Sequence, residues 1–464
     1  MKKETAAVIA ELTSPSTAPP VSANAVAEIC EKANKAYIEM RYAEAAQLYR
    51  MAAEQGHMYS QVDLGRMLEK GTGIGKDEAE AASWYRKAAE QDNAYGQVDL
   101  GRMLEHGQGV DKNEAEAVSW YRKAAERGNM FGQVDLGRMY AKGLGVEKDE
   151  AEAVSWYRKA AELGSAFGQV DLGRMYAKGL GVEKNEAEAV RWYRKAAEQG
   201  NSYGQVDLGR MLEKGMGVEK NEAEAVSWYR KAAEQGSAYG QVDLGHMLAK
   251  GLGADKNEAE AAGWYRKAAE QGNMYGQVDL GRMYAKGLGV EKNEAEAADW
   301  YRKAAEQGNT YGQVDLGRVL EKGLGVEKSE AAAASWYRKA AKKSNVYGQA
   351  NLGRMLANGI GLEKNEVEAA SWYLKAAVQG NAYAQANLGR MLEKGLGIKK
   401  NEVEAVAWYR KAAEQGNAYG QANLGRMLEK GLGVEKNVAA AISWYNKAAE
   451  QGFSEARKWL AKLT

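Results

Sequence analysis

The side chains best able to do chemistry in this sequence form a stripe that recurs along the chain. Tyr95, Asp99 and Arg102 stand at positions i, i+4 and i+7 of a predicted helix, and His106 follows at i+11. This spacing places all four on one face, opposite the apolar positions of the same helix. Aromatic rings and guanidinium groups are enriched at the energetic centres of protein interfaces, so the stripe predicts non-covalent binding of a polypeptide. The predicted binding residues in six copies of the stripe are Tyr95, Asp99, Arg102, Tyr203, Asp207, Arg210, Tyr275, Asp279, Arg282, Tyr347, Asn351, Arg354, Tyr383, Asn387, Arg390, Tyr419, Asn423 and Arg426.

The acidic position of the stripe changes in the later repeats. It is Asp at 63, 99, 135, 171, 207, 243, 279 and 315, and Asn at 351, 387 and 423. We therefore expect Arg354, Arg390 and Arg426 to lack their nearest carboxylate and to bind acidic side chains or the C-terminal carboxylate of a partner. In the alternative, each Asp pairs with the Arg three residues on, or with the Arg of the next repeat. That solvated ladder would contribute about 0–1 kcal/mol for each pair.

Nucleophilic and metal chemistry find little support in the sequence. There is no Ser-x-x-Lys motif, and the nearest equivalent is Ser119 followed three residues later by Arg122. The three histidines, His57, His106 and His246, fall in different repeats, where each replaces another residue type. We expect them to be solvated substitutions rather than a metal site or an acid–base pair. The sequence therefore predicts no catalytic residue and no metal site.

Cofactor binding is not expected either. The stretch GLGVEKN at residues 179–185 puts two glycines before a helix. However, it lacks the preceding strand of a dinucleotide loop and the Gly-Lys-Ser/Thr of a phosphate loop. Cys30, the single cysteine, excludes an intramolecular disulfide, and its apolar helical context predicts a buried small residue. We therefore predict no cofactor.

The charge balance argues against a nucleic-acid partner. The 464 residues include 64 Lys+Arg and 63 Asp+Glu, which gives a net charge of +1. A nucleic-acid binder is expected to carry a basic excess or a basic stripe. No stretch approaches the roughly 18 uncharged apolar residues of a membrane helix, so membrane insertion is not expected. The N-terminal apolar run is too short for a signal peptide, which predicts a cytoplasmic protein; the alternative is secretion by a signal-peptide-independent route.

The stripe is predicted to lie on the helices of a repeated unit, because the sequence pattern recurs every 36 residues. Tryptophan recurs at 84, 120, 156, 192, 228, 264, 300, 336, 372, 408 and 444, and a period of this size indicates an array of repeated units. Within residues 93–128 the apolar spacing predicts a first helix from Ala94 to His106, ended by Gly107, and a second helix capped by Asn113. Glycines at 96 and 101 predict close packing between helices.

The repeat pattern divides the chain into four segments. Residues 1–20 contain all three prolines and are predicted to be a disordered tail. Residues 21–56 have Leu48 at the tryptophan position and lack the Gly-x-Gly connector, which predicts an N-terminal capping repeat. Residues 57–452 form eleven full repeats, and residues 453–464 provide a C-terminal capping helix.

Each full repeat resembles the Sel-one-like repeat, a relative of the tetratricopeptide repeat. The resemblance rests on the Leu-Gly of the first helix, the Gly-x-Gly-Val connector and the WYRKAAEQG second helix, whereas residues 36–56 look more like a plain tetratricopeptide unit. It implies an all-α, right-handed α-solenoid whose first helices line a concave groove. It also implies an adaptor, so we expect a protein or peptide partner in that groove, acidic or repetitive in sequence.

Two other functions stay open at this point. Some members of the family are ascribed a β-lactamase-like hydrolase activity, and helical repeats of similar length read RNA one base per repeat. The near-uniform stripe could read only a homopolymer, and its acidic row would repel phosphates. The sequence therefore favours a non-enzymatic binding scaffold.

Overall fold

The computed structural model describes residues 22–463, so the predicted tail of residues 1–20 lies outside the described part of the chain. This part contains 25 α-helices and no strand, and it repeats a helix–turn–helix unit, which confirms the all-α repeat prediction. The residues up to Trp228 form one compact unit, and those from Tyr229 onward form another. The helices are α1 (Ala23–Ile38), α2 (Tyr42–Glu54), α3 (Met58–Lys70), α4 (Glu78–Glu90), α5 (Ala94–His106), α6 (Glu114–Glu126), α7 (Met130–Lys142), α8 (Glu150–Glu162), α9 (Ala166–Lys178), α10 (Glu186–Glu198), α11 (Ser202–Lys214), α12 (Glu222–Glu234), α13 (Ala238–Lys250), α14 (Glu258–Glu270), α15 (Met274–Lys286), α16 (Glu294–Glu306), α17 (Thr310–Lys322), α18 (Glu330–Lys342), α19 (Val346–Asn358), α20 (Glu366–Val378), α21 (Ala382–Lys394), α22 (Glu402–Glu414), α23 (Ala418–Lys430), α24 (Val438–Glu450) and α25 (Ser454–Leu460).

The two helices of a repeat begin and end where local chemistry favours it. Asn93 Oδ1 accepts a hydrogen bond from the Gly96 amide at 2.9 Å, and Asn113 Oδ1 accepts one from the Glu116 amide at 3.0 Å. These bonds satisfy amides that a helix N-terminus leaves without a partner. Gly107 ends α5 with a φ of 69°, in the left-handed region that favours glycine. The predicted bounds of α5 and the predicted cap of α6 are confirmed.

The second glycine of the connector permits a close approach between repeats. Gly109 has a φ of 65°, and a Cβ built on it would lie 2.2 Å from the carbonyl carbon of Glu78, the first residue of α4. No side chain fits at that distance, so the connector lies directly against the start of the preceding second helix. Both the left-handed φ and this packing contact therefore favour glycine at the position.

The apolar core lies between the helices of a pair and between neighbouring pairs. Leu100 of α5 and Tyr121 of α6 have no exposed surface. A Cβ on Gly101 would lie 2.7 Å from Tyr121 Cε1, and one on Gly96 would lie 2.7 Å from Ala88 Cβ of the preceding repeat. A glycine in a helix interior costs about 1 kcal/mol, and the close packing offsets this cost. The predicted close packing at both glycines is confirmed.

A row of buried glutamines joins successive repeats, which the sequence analysis did not foresee. Gln61 of α3 is 3% exposed; its Nε2 donates to the Ala53 carbonyl, and its Oε1 accepts from Gln91 Nε2 at 2.8 Å. The bond between Gln61 and Gln91 joins the two helices of one repeat, and it recurs between Gln277 and Gln307, also at 2.8 Å. The bond to the Ala53 carbonyl crosses to the preceding repeat, and because buried amides require partners, it favours a single register between neighbouring repeats.

The outermost helices cover the apolar faces of the pairs next to them. Leu48 of α2 takes the tryptophan position and is 7% exposed. In α25, the Trp459 ring packs against Tyr445 with centroids 5.5 Å apart. Among residues 22–463, no helix is long and apolar enough to cross a membrane.

Candidate partner-binding face

The tyrosine position of the first helices lies at the surface in both units. Tyr419 is the most covered of the predicted tyrosines, because its ring packs against Phe453 with centroids 6.2 Å apart. An exposed fraction between 42% and 53% is found at ten positions: Tyr59, Tyr95, Phe131, Phe167, Tyr203, Tyr239, Tyr275, Tyr311, Tyr347 and Tyr383. We call these ten residues and Tyr419 the tyrosine row.

Arginines of the preceding repeat hold several rings of the tyrosine row. Arg66 Cζ lies 5.8 Å from the centroid of the Tyr95 ring, and Arg174 Cζ lies 5.8 Å from that of Tyr203. A cation–π contact at this distance stabilises by about 0.5–1 kcal/mol at an exposed site. These contacts restrict the orientation of the rings in the free protein.

The aspartate position is less accessible than expected, which corrects its assignment to a solvent-exposed stripe. Asp99 is 4% exposed; it accepts a hydrogen bond from Arg66 Nε at 2.9 Å, and Arg102 Nη1 lies 3.2 Å from its other oxygen. Burial raises the pKa of Asp99, although the two guanidinium groups oppose this effect. The residue is covered because Arg66 of the preceding first helix lies over the carboxylate. Asn423 is buried as well, and partial exposure is seen for Asp207, Asp279, Asn351 and Asn387.

The arginines of the face pair with carboxylates in three relative positions. Arg102 contacts Asp99 three residues earlier, and its Nη2 donates to Glu69 Oε2, which lies 33 residues earlier, at 2.9 Å. Arg282 Nε donates to Asp315 Oδ2, which lies 33 residues later, at 3.0 Å. Arg210 Nη1 lies 3.8 Å from the aspartate three residues earlier. This is the ladder weighed as the alternative in the sequence analysis, extended by a glutamate that was not foreseen.

The expectation of three unpaired arginines is wrong for Arg354 and Arg426. Arg354 Nη2 donates to Glu321 Oε2 at 2.6 Å, and Arg426 Nη2 donates to Glu393 Oε2 at 2.6 Å. Their side chains are 23% and 19% exposed, compared with 40% for Arg102. In both cases a glutamate of the preceding first helix supplies the carboxylate. A projection of one helix cannot show this relation, but the 33-residue spacing could have indicated it.

A tyrosine of the intervening second helix fixes each of these glutamates. Tyr337 Oη donates to Glu321 Oε2 at 3.2 Å, and Tyr409 Oη donates to Glu393 Oε2 at 3.0 Å. Burial acts to raise the pKa of Glu393, but the hydrogen bonds from Arg426 and Tyr409 and the charge of Arg426 lower it overall. The tyrosine, glutamate and arginine therefore form one charge-paired structural contact.

Arg390 differs from the other arginines of the face. The residue 33 positions earlier is Ala357, and the other two carboxylate positions are Asn387 and Asn423. Asn387 Nδ2 donates to the Tyr383 carbonyl at 2.9 Å, so its amide is turned along its own helix. Within residues 22–463, the structure shows no carboxylate paired with Arg390.

A depression opens on this face in the second unit, between α15, α17 and α19. Its volume is about 730 Å³, and its lining includes Tyr311, Tyr347 and Arg354. Arg318 also lines it, with a side chain that is 48% exposed and an Nη2 that lies 2.8 Å from Asp315. Aromatic rings and paired charges thus border a space that can receive side chains of a bound polypeptide.

The residues considered for catalysis or metal binding have structural partners. Ser119 Oγ donates to the Glu116 carbonyl at 2.7 Å. His57 caps α3, where its Nδ1 accepts a backbone hydrogen bond at 3.2 Å. His246 takes the arginine position, and its Nε2 lies 2.7 Å from Asp279 Oδ2. Burial acts to lower the pKa of His246, but the hydrogen bond and charge of Asp279 raise it overall.

Cys30 is partly buried, which corrects the expectation of a buried small residue. Its Sγ lies 3.2 Å from His57 Nδ1 and 3.2 Å from Ser60 Oγ. The contact joins α1 to the start of α3. His106, the remaining histidine, is exposed in the last turn of α5.

Stacked helix pairs with a repeated exposed face define a helical-repeat solenoid protein. The chain belongs to the Sel1 repeat family, whose members generally serve as scaffolds for protein interactions, and the predicted resemblance is confirmed. The Sel1 repeat matches twelve segments, namely residues 42–57, 59–93, 94–129, 131–165, 166–201, 202–237, 238–273, 275–309, 310–345, 346–381, 382–417 and 418–453.

Two solved structures are similar to this chain. The first is c5321, a protective antigen present in uropathogenic Escherichia coli strains and displaying an SLR fold. It is 39% identical, with coverage of 90% of this chain and 91% of that chain and a TM-score of 0.64. The second is a Sel1 repeat protein from Oxalobacter formigenes, which is 36% identical, with coverage of 53% of this chain and 96% of that chain and a TM-score of 0.48. Comparison with curated protein sequences gives no match.

Proposed function

We propose that this chain is a non-enzymatic interaction scaffold that binds a partner polypeptide along the tyrosine row. The observation that carries the proposal is the recurrence of a half-exposed aromatic ring at the same position of successive first helices, ten times at 42–53% exposure. A half-exposed ring leaves much of its apolar surface available to a partner, and at the eight tyrosines a hydroxyl supplies a polar group as well.

Rings rather than charges are proposed to supply most of the binding energy. Arg102, Arg282 and Arg354 already have carboxylate partners. Each of these pairs already satisfies its arginine, and a partner would have to break the pair to use the same charge. The cation–π contacts of Arg66 and Arg174 also restrict the rings before binding, which lowers the entropy lost in the complex.

The spacing of the row favours an extended partner. Neighbouring helices pack about 8–10 Å apart, and an extended chain advances roughly 3.3 Å per residue. About every third side chain of an extended partner would therefore meet a ring within one unit. A partner with a repeated apolar or aromatic residue at that interval would contact several rings at once, which is the sense in which we propose a repetitive partner.

The test compares two triple variants of the second unit. One replaces Tyr275, Tyr311 and Tyr347 by Ala, which removes three neighbouring rings of the row. The control replaces three exposed valines of the second helices by Ala, namely Val367, Val378 and Val403, which are 67–70% exposed. A partner captured with the wild-type chain is purified, and its affinity for each variant is measured by calorimetry.

We expect the tyrosine variant to lose about tenfold in affinity for each ring that contacts the partner. The valine variant should stay within about twofold of wild type, because scattered exposed valines are ordinary surface residues. Circular dichroism should show unchanged helicity for both variants. Equal affinity of wild type and the tyrosine variant, or loss only in the valine variant, would exclude the proposed face.

A further inference from the structure

The carboxylates that pair with arginines of the first helices come from three relative positions. These lie three residues earlier, 33 residues later and 33 residues earlier in the sequence, as Arg102 and Arg282 show. Where aspartate is missing, as at Arg354 and Arg426, the glutamate 33 residues earlier takes its place. Loss of the aspartates therefore leaves these two guanidinium groups paired through the glutamate.

Arg390 is the position at which all three carboxylates are missing at once. The three positions hold Ala357, Asn387 and Asn423. Asn423 does not compensate, because its Oδ1 accepts from Arg426 at 3.1 Å and its Nδ2 donates to the Tyr419 carbonyl at 2.8 Å. The nearby Glu393 is also engaged, by Arg426 and by a buried tyrosine.

The same alanine removes a hydrogen-bond partner of a buried tyrosine. Where the position holds glutamate, this tyrosine donates to it, as Tyr337 does to Glu321. With Ala357 in that place, Tyr373 packs edge-on against Tyr383, with ring centroids 6.3 Å apart. Burial raises the pKa of Tyr373, the charge and a hydrogen bond of Tyr383 add to this effect, and the positive charges of Arg390 and Arg354 oppose it.

Tyr383 is 42% exposed, so this part of the face is open to a partner. A guanidinium presents a planar fork of donors that matches the two oxygens of a carboxylate, and a charge-assisted bond of this kind is stronger than a neutral one. Two of the three carboxylate positions around Arg390 hold asparagine amides, and the nearby Glu393 is paired with Arg426.

We infer that Arg390 is the position at which the tyrosine row binds a carboxylate of the partner, an inference that rests on the proposed function. The carboxylate comes from an aspartate or glutamate side chain or from the C-terminus of the bound chain. The other arginines of the face hold the scaffold together, and Arg390 selects for acidic sequence.

The test uses substitutions that occur naturally in sister repeats. Ala357→Glu restores the residue found at Glu321 and Glu393, and Asn387→Asp restores the residue found at Asp279. Each supplies Arg390 with an internal carboxylate while leaving the arginine in place. The matched control is Ala285→Glu, which adds the same group beside Arg318, an arginine that Asp315 already holds.

The full chain and these variants are screened against an array of random eight-residue peptides, half with a free C-terminal carboxylate and half amidated. We expect wild type and Ala285→Glu to select peptides that contain Asp, Glu or a free C-terminus. Ala357→Glu and Asn387→Asp should bind those peptides about tenfold more weakly. The amidated peptides distinguish the two sources of the carboxylate, because they have side-chain carboxylates but no C-terminal carboxylate.

Two results would overturn the inference. One is selection without acidic preference, and the other is an acidic preference that the Ala357→Glu and Asn387→Asp variants retain. If wild type selects no peptide, or if selection is indifferent to Tyr347→Ala and Tyr383→Ala, the proposed function fails and takes the inference with it. If peptide binding depends on these tyrosines but is unchanged when Ala357→Glu or Asn387→Asp pairs Arg390 with a carboxylate, the proposed function holds and only the inference is refuted.

Discussion

Arg66 Nε donates to Asp99 Oδ2 across 2.9 Å, and this bond joins the first helices of two neighbouring repeats. The charged residues of the stripe on one helix therefore also bind neighbouring first helices to each other. This dual use separates the face into tyrosines that are available to a partner and charges that largely serve the fold.

Replacing Glu105 by Gln should lower the free energy of unfolding by about 1–2 kcal/mol, because Arg138 loses a buried charged acceptor. Burial acts to raise the pKa of Glu105, but the hydrogen bond and charge of Arg138 lower it overall, so the folded chain favours the charged form. The matched control is Asp299→Asn, whose ion pair with Arg302 is 2.8 Å long and exposed on both sides. That variant should stay within about 0.5 kcal/mol of wild type. Urea unfolding of the three chains measures the difference, and equal losses in both variants would contradict a structural role for the glutamate position.

His246 should make stability depend on pH. Its pKa is raised in the folded chain above the ordinary value of 6.5, because the hydrogen bond and charge of Asp279 outweigh burial. A raised pKa means that the stabilisation is fully present below about pH 6.5 and is lost as the pH rises through the folded value.

The variant His246→Arg tests this relation, because arginine fills the position in the other repeats and stays charged. We expect wild type and variant to have similar urea midpoints at pH 5.5, and the variant to be the more stable at pH 8.5. A stability difference that is constant between these pH values would show that protonation of His246 is not coupled to folding.

Two glycines in helices should respond oppositely to alanine. A Cβ on Gly101 would lie 2.7 Å from Tyr121 Cε1, so Gly101→Ala should destabilise by about 1–3 kcal/mol through overpacking. A Cβ on Gly263 in α14 meets nothing within 4 Å, so Gly263→Ala should stabilise by about 0.5–1 kcal/mol. Thermal unfolding checks both signs, and a gain for Gly101→Ala would refute the packing account.

Removing a glutamate should create a second position like Arg390. Glu393→Ala copies the natural residue Ala357 and frees Arg426 from its 2.6 Å partner. We expect this variant to bind acidic peptides more tightly than wild type, with a modest loss of stability. Glu90→Ala, at an exposed position of a second helix, controls for the change in net charge. An equal gain in both variants would mean that net charge rather than the freed arginine attracts the peptides.

Local features of the fold could be predicted from the sequence because each repeat carries its own signals. The capping side chain of Asn113, the left-handed Gly107 and the apolar spacing around Leu100 determine where helices begin, end and face. The burial of Asp99 could not be foreseen in this way, since it depends on Arg66 of another repeat. The pairing of Arg354 depends likewise on a residue 33 positions away, which only packing between first helices reveals.

The replacement of Asp by Asn in the later repeats is only one of the two sequence changes that matter for these arginines. The asparagines at 351, 387 and 423 singled out three arginines, whereas the residue at the glutamate position distinguishes Arg390 from the other two. Once the 33-residue relation is known, the distinction can be read directly from Ala357, Glu321 and Glu393. A repeat protein therefore requires comparison of residues between neighbouring repeats as well as within one helix.

Oxidative footprinting of the complex tests the central claim most directly, because it locates the partner without altering the scaffold. Hydroxyl radicals modify accessible aromatic rings, and mass spectrometry reports the extent for each peptide. The account predicts that the partner protects Tyr275, Tyr311 or Tyr347 of the tyrosine row while Trp300 and Trp336 of the second helices are modified as in the free chain. Protection of the tryptophans with the tyrosine row unchanged would contradict it.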